Sequence, residues 1–337
     1  MRTGRNFRFF RLTFHILLVL LSVPQVCTGN VEFDTWLTGL RAEAIAKGIS
    51  TETLDIALKD LKPIPRIIEL DRNQPEFKQS YRSYQKLVVT ESRVKKGAEV
   101  LNTHRDLLEN IRDRYGVQPR FLVAIWGLET NFGSHIGSFP VIAAVATLAH
   151  DTRRSKFFRS ELMHSLKILD EGHVKYADMI GSWAGAMGQL QFMPSTFTSL
   201  AVDEDNDGRK DIWNSLPDVF GSASNFLSSY GWLPGYTWGR MVKLPQDFDN
   251  DLIGMATTKT LAEWLKTGVR RHNGEALPDA DINASLIQPS GGKGPSFLVY
   301  PNYKAIFKWN RSHFYALAVC RLADIIAYEA SLQNSVQ

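Results

Sequence analysis

Residues 124–133 read AIWGLETNFG and place one carboxylate, Glu129, at the end of a strongly apolar segment. Between Gln118 and Thr130 the apolar side chains recur at three- and four-residue intervals, which predicts a largely buried helix with Glu129 in its last turn. Ile125 and Trp126 precede Glu129 by about one helical turn and therefore share its face. Burial and the negative end of the helix dipole both disfavour an ionised carboxylate. We therefore expect the pKa of Glu129 to be raised.

A carboxylic acid that keeps its proton near neutral pH can protonate a leaving-group oxygen, which is the first step of glycoside cleavage. The segment alone leaves a common alternative open, because most glutamates near a helix end are solvated or pair with a Lys or Arg. Other motifs have to separate these two interpretations.

The first 29 residues have the features of a cleavable secretory signal. Four arginines precede the apolar run 16–23, and the small residues Cys27-Thr28-Gly29 follow it. The apolar run is short compared with the roughly 20 residues that cross a bilayer, so cleavage is favoured over a retained N-terminal anchor. We therefore expect a protein that is secreted through a cleavable signal peptide.

The charge of the chain argues against a nucleic-acid partner. The 337 residues contain 39 Lys and Arg against 35 Asp and Glu, and the four arginines of the signal account for the difference. A nucleic-acid-binding domain would need a basic patch of its own. Loss of the signal would also leave Cys320 without a partner cysteine, and its apolar surroundings predict a small core side chain.

The order of predicted elements indicates a mainly α protein of the α+β class. After the signal peptide (1–29) we expect an N-terminal helical domain (30–110), a helical core (111–235), a small antiparallel β domain (236–309) and a returning C-terminal helix (310–337). One long helix is predicted over 91–115, and Asp218 is predicted to cap a helix over 219–230. Short β-branched or aromatic runs predict the strands of the β domain, with one helix between them over 260–268. These runs are 240–244, 285–287, 296–300 and 304–309.

Residues 181–195 are dense in glycine and other small residues, so that backbone can approach a ligand closely there. Gln189 and Gln191 in this segment can each donate and accept hydrogen bonds, which suits the hydroxyl and acetamido groups of a sugar. Tight helix or turn packing is the alternative interpretation of such a segment.

Residues 203–211 read DEDNDGRKD and resemble a helix-loop-helix calcium loop. Carboxylates alternate at Asp203, Asp205 and Asp207, glycine is sixth, and Asp211 is ninth. The twelfth position is Asn214 instead of the usual glutamate, so we expect weaker binding or a ligand from Asp218. The alternative is an Asp-rich turn that neighbouring basic residues neutralise. We expect a structural Ca²⁺ here and no cofactor for catalysis.

Four motifs in this order resemble the lytic murein transglycosylase B family, glycoside hydrolase family 103. They are WGLETNFG (126–133), GAMG (185–188), QFMPS (191–195) and YGW (230–232). The likeness extends from about residue 33 to residue 312. It implies a lysozyme-like core, and cleavage of the MurNAc–GlcNAc bond of peptidoglycan in the periplasm.

The resemblance also implies site residues. Glu129 matches the sole catalytic residue, which acts first as acid and then as base to close a 1,6-anhydro ring, with the substrate's N-acetyl group assisting. Positions that match the sugar cleft are Ser182, Gln191, Asn310 and Tyr315, and the four aspartates match the cation loop. Trp309 and Phe226 occupy positions where tyrosine is frequent in the family.

Two other functions remain open at this stage. A hydrolytic muramidase would use the same raised-pKa glutamate with water as the nucleophile. A non-catalytic peptidoglycan-binding scaffold would keep the cleft, although a binder has no need of an acid in an apolar pocket. As partners we expect glycan strands and cell-wall machinery proteins, and we expect a monomer.

Overall fold

The computed structural model describes residues 28–73 and 79–335. The expected signal peptide therefore lies almost wholly outside the described residues. Within these ranges no helix combines the length and the apolar character needed to cross a membrane.

Helices dominate the described chain. In chain order they are α1 (Thr28–Ala46), α2 (Thr51–Ala57), α3 (Pro65–Arg72), α4 (Tyr81–Val88), α5 (Glu91–Thr103), α6 (Arg105–Tyr115), α7 (Pro119–Thr130), α8 (Val141–His150), α9 (Ser155–Asp170), α10 (Pro194–Leu200), α11 (Leu216–Ser229), α12 (Leu261–Lys266), α13 (Pro301–Trp309) and α14 (His313–Ser335). The predicted mainly α class is thus confirmed.

The strands form one short ribbon and one sheet. They are β1 (Phe139–Pro140), β2 (Ile180–Gly181), β3 (Gly239–Lys243), β4 (Gly254–Thr260), β5 (Arg270–Arg271), β6 (Asn283–Ile287) and β7 (Ser296–Val299). Strands β1 and β2 pair with each other, and the other five form an antiparallel sheet in the order β4-β6-β7-β3-β5.

The two central strands of the sheet bury both of their faces. Leu286 and Leu298 oppose each other across β6 and β7 and belong to the core of the β domain, together with Trp264 of α12. Their neighbours Ile287 and Phe297 point to the other face and join the large helical core. This alternation, which follows from the two-residue period of a strand, fixes the β domain onto the helices.

Helix α7 lies at the centre of the helical core. Its residues 121–127 are all buried, and it packs against α5, α6, α11 and α14. Helix α14 also packs closely on α5, because Gly97 leaves room for Ile326: a Cβ at Gly97 would lie only 2.3 Å from the Ile326 Cδ1 atom. The catalytic candidate Glu129 is therefore carried by a largely buried helix of this core.

Three local predictions were wrong. The long helix over 91–115 is two helices that meet at His104, and the break lets α5 pack on α14 while α6 packs on α11. The predicted strand 304–309 belongs to α13, where Pro301 occupies the first helical position that proline favours. The cap of α11 is Ser215, whose hydroxyl accepts the N–H of Asp218. Periodicity and residue propensity do not register such one-residue breaks and starts.

Candidate active site

Glu129 lies in the last turn of α7, and the chain turns back directly after it. Asn131 and Phe132 both adopt left-handed backbone conformations, with φ of 50° and 60°. The Phe132 ring then packs on Gly127, where a Cβ would lie 2.8 Å from ring carbons. A glycine at 127 thus permits the sharp turn that exposes the end of the helix on one side.

Two side chains hold one oxygen of the Glu129 carboxylate. The Trp309 indole Nε1–H donates to Oε1 at 2.9 Å, and the Tyr315 hydroxyl donates to the same Oε1 at 2.6 Å. Trp309 is the last residue of α13 and Tyr315 lies in the first turn of α14. The turn between these two helices therefore covers the end of α7.

The environment of this carboxylate raises its pKa, as expected from the sequence. Burial raises the pKa of Glu129 to about 7, although the hydrogen bonds from Tyr315 and Trp309 oppose the shift. Among the described residues no second carboxylate contributes to this shift. The site therefore offers a single acid that is partly protonated at neutral pH.

Tyr84 is a site residue that the sequence did not reveal. It lies on α4, near the rim of the site, with its ring 5.9 Å from that of Phe314. Burial and the nearby charge of Glu129 both raise the pKa of the Tyr84 hydroxyl. Only the packing of α4 against α14 brings Tyr84 to the carboxylate, and no local motif could have indicated it.

Aromatic rings extend from Glu129 to the surface. The Trp309 ring contacts Phe192 and Phe226, with centroids 5.1 Å and 4.7 Å apart, and Phe226 contacts Tyr230 at 4.7 Å. Tyr230 is 46% exposed at the outer end of this row. The two positions where the chain departs from the family's frequent tyrosines, Trp309 and Phe226, are therefore in direct contact. We call Trp309, Phe192, Phe226 and Tyr230 the aromatic row.

Ser182 and Gln191 lie on adjoining loops beside the β1–β2 ribbon. The Ser182 hydroxyl accepts the N–H of Ala186 at 3.0 Å, which closes a tight turn. Gln191 has a left-handed backbone with φ of 51°, and its amide nitrogen donates to the carbonyls of Ile136 and Gly188. The two side chains are thus oriented by local hydrogen bonds and remain partly exposed.

Gln189 has a different environment from the one that the sequence predicts. Its side chain is buried, accepts the Trp126 indole N–H at 2.8 Å and donates to the Trp213 carbonyl at 2.8 Å. Its backbone carbonyl accepts the Thr130 hydroxyl at 2.9 Å. Both ends of the amide are engaged inside the protein, so Gln189 braces the last turn of α7 instead of presenting its amide to a sugar.

Asn310 and Tyr315 flank Trp309 in different ways. Asn310 directly follows the indole and is exposed, whereas Tyr315 is 6% exposed and contacts Glu129 itself. The structure therefore brings Tyr315 to Glu129, and it places Asn310 next to Trp309, which also contacts Glu129.

The Asp203 loop, residues 203–214, gathers three carboxylates. Ligand atoms of Asp203, Asp205 and the fully buried Asp218 lie within 4.8 Å of one another. Asp207 instead pairs with Arg209 at 2.9 Å, and Asp211 accepts the backbone N–H groups of Trp213 and Asn214. Asp218, which lies on α11 outside the loop and is the alternative ligand that the sequence analysis names, is thus one of the three. The donor set of closely spaced carboxylate oxygens suits a hard cation such as Ca²⁺.

Glu204 anchors this loop to the helical core. Its carboxylate pairs with Arg114 at 2.7 Å and accepts the Tyr115 hydroxyl at 2.9 Å, both from α6. The backbone N–H of Glu204 in turn donates to Asp218 at 2.7 Å. The loop therefore links α6 to α11 at a place separate from the carboxylate of Glu129.

This fold, with a glutamate of raised pKa at the end of α7, defines a lysozyme-like protein. The Transglycosylase SLT domain model matches residues 32–324, and the chain belongs to that family. The match also confirms the resemblance to the lytic murein transglycosylase B family that the motifs indicate.

Relatives of known identity agree with this assignment. The chain is 30% identical over 255 residues to membrane-bound lytic murein transglycosylase B of Escherichia coli K12, a match that covers 72% of this chain and 66% of that protein, just under two thirds of its length. SltB3 of Pseudomonas aeruginosa, crystallised in complex with NAG-anhNAM-pentapeptide, superimposes with a TM-score of 0.85 at 44% identity. That match covers 88% of this chain and 79% of SltB3.

A second solved structure that the chain resembles contains calcium. The Escherichia coli lytic transglycosylase Slt35 in complex with calcium superimposes with a TM-score of 0.75 at 27% identity. The match covers 89% of this chain and 94% of Slt35.

Proposed function

We propose that this chain is a lytic transglycosylase that cleaves the β-1,4 bond between MurNAc and GlcNAc in peptidoglycan and leaves 1,6-anhydro-MurNAc ends. The observation that carries the proposal is the isolated Glu129 carboxyl, with a pKa of about 7 and no second carboxylate beside it among the described residues. Family membership and the anhydro-sugar complex of SltB3 support the same chemistry.

Glu129 supplies the proton in the first step. Its carboxylic acid donates to the glycosidic oxygen while the bond from that oxygen to C1 of MurNAc breaks. The substrate's own N-acetyl oxygen stabilises the positive charge that develops at C1, so the enzyme needs no second carboxylate as nucleophile.

Glu129 accepts a proton in the second step. Its carboxylate removes the proton of the C6 hydroxyl while the C6 oxygen bonds to C1 and displaces the N-acetyl oxygen. Glu129 is then protonated again and no water is consumed. A pKa of about 7 suits this double role, because both protonation states of Glu129 are populated near neutral pH.

The remaining cleft residues bind and orient the glycan strand. Ser182, Gln191 and the exposed Asn310 offer hydroxyl and amide groups to sugar hydroxyl and acetamido groups. In the aromatic row the exposed Tyr230 and the half-buried Trp309 offer ring surface to a sugar, and the buried Phe226 packs between them. A glycan strand lying along this row would pass over the carboxylate.

We also propose a Ca²⁺ in the Asp203 loop, with Asp203, Asp205 and Asp218 as its core ligands. Asp207 and Asp211 would join it only by exchanging their present partners, Arg209 and the backbone of residues 213–214. The ion would hold the loop between α6 and α11 and would take no part in the reaction.

We propose that the protein acts in the periplasm, where its proposed substrate lies, after secretion through the N-terminal signal. The four arginines of that segment, which account for the net positive charge of the chain, support this proposal.

The test compares wild type with Glu129→Gln on purified sacculi, with cleavage followed by release of soluble muropeptides and binding by co-sedimentation. We expect release by wild type, and binding without release by the variant. Release by both proteins would contradict the assignment of Glu129. Binding without release by both would favour a scaffold.

A further inference from the structure

We propose that Trp309 is a positioning residue that confines the transferable proton of Glu129 to Oε2, so that one carboxylate oxygen performs both proton transfers. This inference rests on the proposed function and names a device within the same site.

The geometry starts from the two donors that converge on Oε1. An indole N–H can only donate a hydrogen bond, whereas a hydroxyl can donate or accept. A proton on Oε1 would therefore face the Trp309 N–H at 2.9 Å with no way for the indole to reverse its role. The carbonyl oxygen of a neutral carboxylic acid is a better acceptor than its hydroxyl oxygen, so two donors at Oε1 favour the neutral acid whose proton lies on Oε2.

Oε2 is the oxygen left for the substrate. Among the described residues no side chain or backbone group donates to it, and it is not one of the buried polar atoms that lack a partner. It therefore faces the open side of the site, where the glycosidic oxygen and later the C6 hydroxyl must come.

The indole is held in place by its neighbours. Its ring lies against Phe192 and Phe226, at 5.1 Å and 4.7 Å between centroids. The turn that follows it is fixed as well, since the Tyr303 hydroxyl of α13 meets His313 Nδ1 of α14 at 2.8 Å. Trp309 and Tyr315 are thus delivered to Oε1 as one rigid unit.

The consequence for the reaction is that the carboxyl group does not need to rotate. Oε2 gives its proton to the leaving oxygen as the C1–O bond breaks, and the two donors at Oε1 stabilise the carboxylate that results. The same Oε2 then takes the C6 hydroxyl proton as the new C1–O6 bond forms.

Trp309→Phe tests the proposal because it keeps a six-membered ring in the aromatic row and removes the N–H donor together with the rest of the indole. Trp238→Phe is the matched control, since the Trp238 indole donates to Asp324 at 2.8 Å outside this site. Two quantities are measured in the full chain: kcat and KM on sacculi against pH, and the carboxyl ¹³C titration of Glu129, assigned with Glu129→Gln.

We expect kcat of Trp309→Phe to fall about 10- to 100-fold with little change in KM, because a hydrogen bond to a charged group is lost. The alkaline limb of the pH profile and the Glu129 titration should both move to higher pH, since the ionised form loses a donor. Trp238→Phe should match wild type in both. A purely structural role for Trp309 would lower thermal stability without moving either curve.

An unchanged titration and pH limb in Trp309→Phe would overturn the proposal, as would equal shifts in Trp238→Phe. Failure of the proposed function gives a different pattern. If wild type releases no anhydro products, the ¹³C titration of Glu129 still tests the role of Trp309, because the titration requires no turnover.

Discussion

Glu129 and the Asp203 loop hold carboxylates in opposite environments. Glu129 is enclosed and receives two neutral donors on one oxygen, and burial raises its pKa to about 7. In the loop, Arg209 lowers the pKa of the exposed Asp207, whereas burial raises the pKa of Asp218, which lies with Asp203 and Asp205. Glu129 is thus prepared to exchange a proton, whereas Arg209 keeps Asp207 charged.

The difference shows that the partners of a carboxylate determine whether it can exchange a proton or stays charged. A neutral N–H or O–H partly compensates burial without fixing the charge, whereas an arginine or a cation fixes it. We therefore expect substitution of Glu129 to act mainly on turnover, and removal of a cation from the Asp203 loop to act mainly on stability.

The largest expected effect is the loss of turnover in Glu129→Gln. The variant should lose activity by on the order of 10²- to 10⁴-fold or more, because one residue supplies both the acid and the base. Muropeptide release from sacculi measures it. Glu91→Gln, an exposed glutamate that pairs only with Lys95, is the control and should retain full activity. If the activity of Glu129→Gln were within tenfold of wild type, Glu129 would not be the acid and base of the reaction.

Removal of the cation should act on stability instead. Saturating Ca²⁺ at about 100 times its Kd would contribute roughly 2.7 kcal/mol, so excess chelator should lower Tm by several degrees. Asp203→Asn with Asp205→Asn should melt at the chelated temperature and respond to neither Ca²⁺ nor chelator. Below the melting range kcat should change less than about twofold. An identical Tm with Ca²⁺ and with chelator would count against a bound ion.

A smaller effect concerns the cost of ionising Glu129. Its pKa in the fold is about 7 against an ordinary 4.5, so between these pH values the native state binds more protons than the unfolded state. The free energy of unfolding must then fall as pH rises through this window. After allowance for partial exposure the loss is about 1–2 kcal/mol.

Glu129→Gln removes this cost and provides the check. Urea unfolding should find the variant more stable than wild type at pH 8, and equal to it near pH 4, where both side chains are neutral. If wild type and Glu129→Gln had the same free energy of unfolding at pH 8, ionisation of Glu129 would not destabilise the fold.

The smallest effect should come from the outer end of the aromatic row. Tyr230→Ala removes an exposed ring, and the loss of about 0.5–1.5 kcal/mol of aromatic contact should raise KM roughly 2- to 12-fold without lowering kcat. Tyr328→Ala removes an even more exposed ring from α14 and should leave KM unchanged. If the two variants have the same KM, the row does not bind glycan.

Local sequence was sufficient for the helix that carries Glu129 and for its raised pKa. Both follow from apolar spacing within 13 residues, and α7 spans Pro119–Thr130 as the spacing predicts. The donors to its carboxylate could not be found in this way, because Trp309 and Tyr315 lie 180 and 186 residues further along the chain. Tyr315 was indicated only by family resemblance.

Other residues show where such reasoning fails. Gln189 has the chemistry of a sugar ligand, but the fold uses its amide to join Trp126 to Trp213. The aromatic residues of 304–309 favour a strand, but the helix that starts at Pro301 places Trp309 at the site. Asp218 was expected as a helix cap or as a further ligand of the loop; Ser215 is the cap, and Asp218 joins Asp203 and Asp205. In each case long-range packing decided between uses that the local sequence leaves open.

The most direct test of the account is mass spectrometry of the muropeptides that wild type releases from sacculi in H₂¹⁸O. The account predicts products with 1,6-anhydro-MurNAc ends that contain no ¹⁸O, because the C6 oxygen of the substrate attacks C1. Reducing ends that carry one ¹⁸O would show that water attacks, and would contradict the claim that Glu129 acts as acid and then as base on the substrate's own hydroxyl.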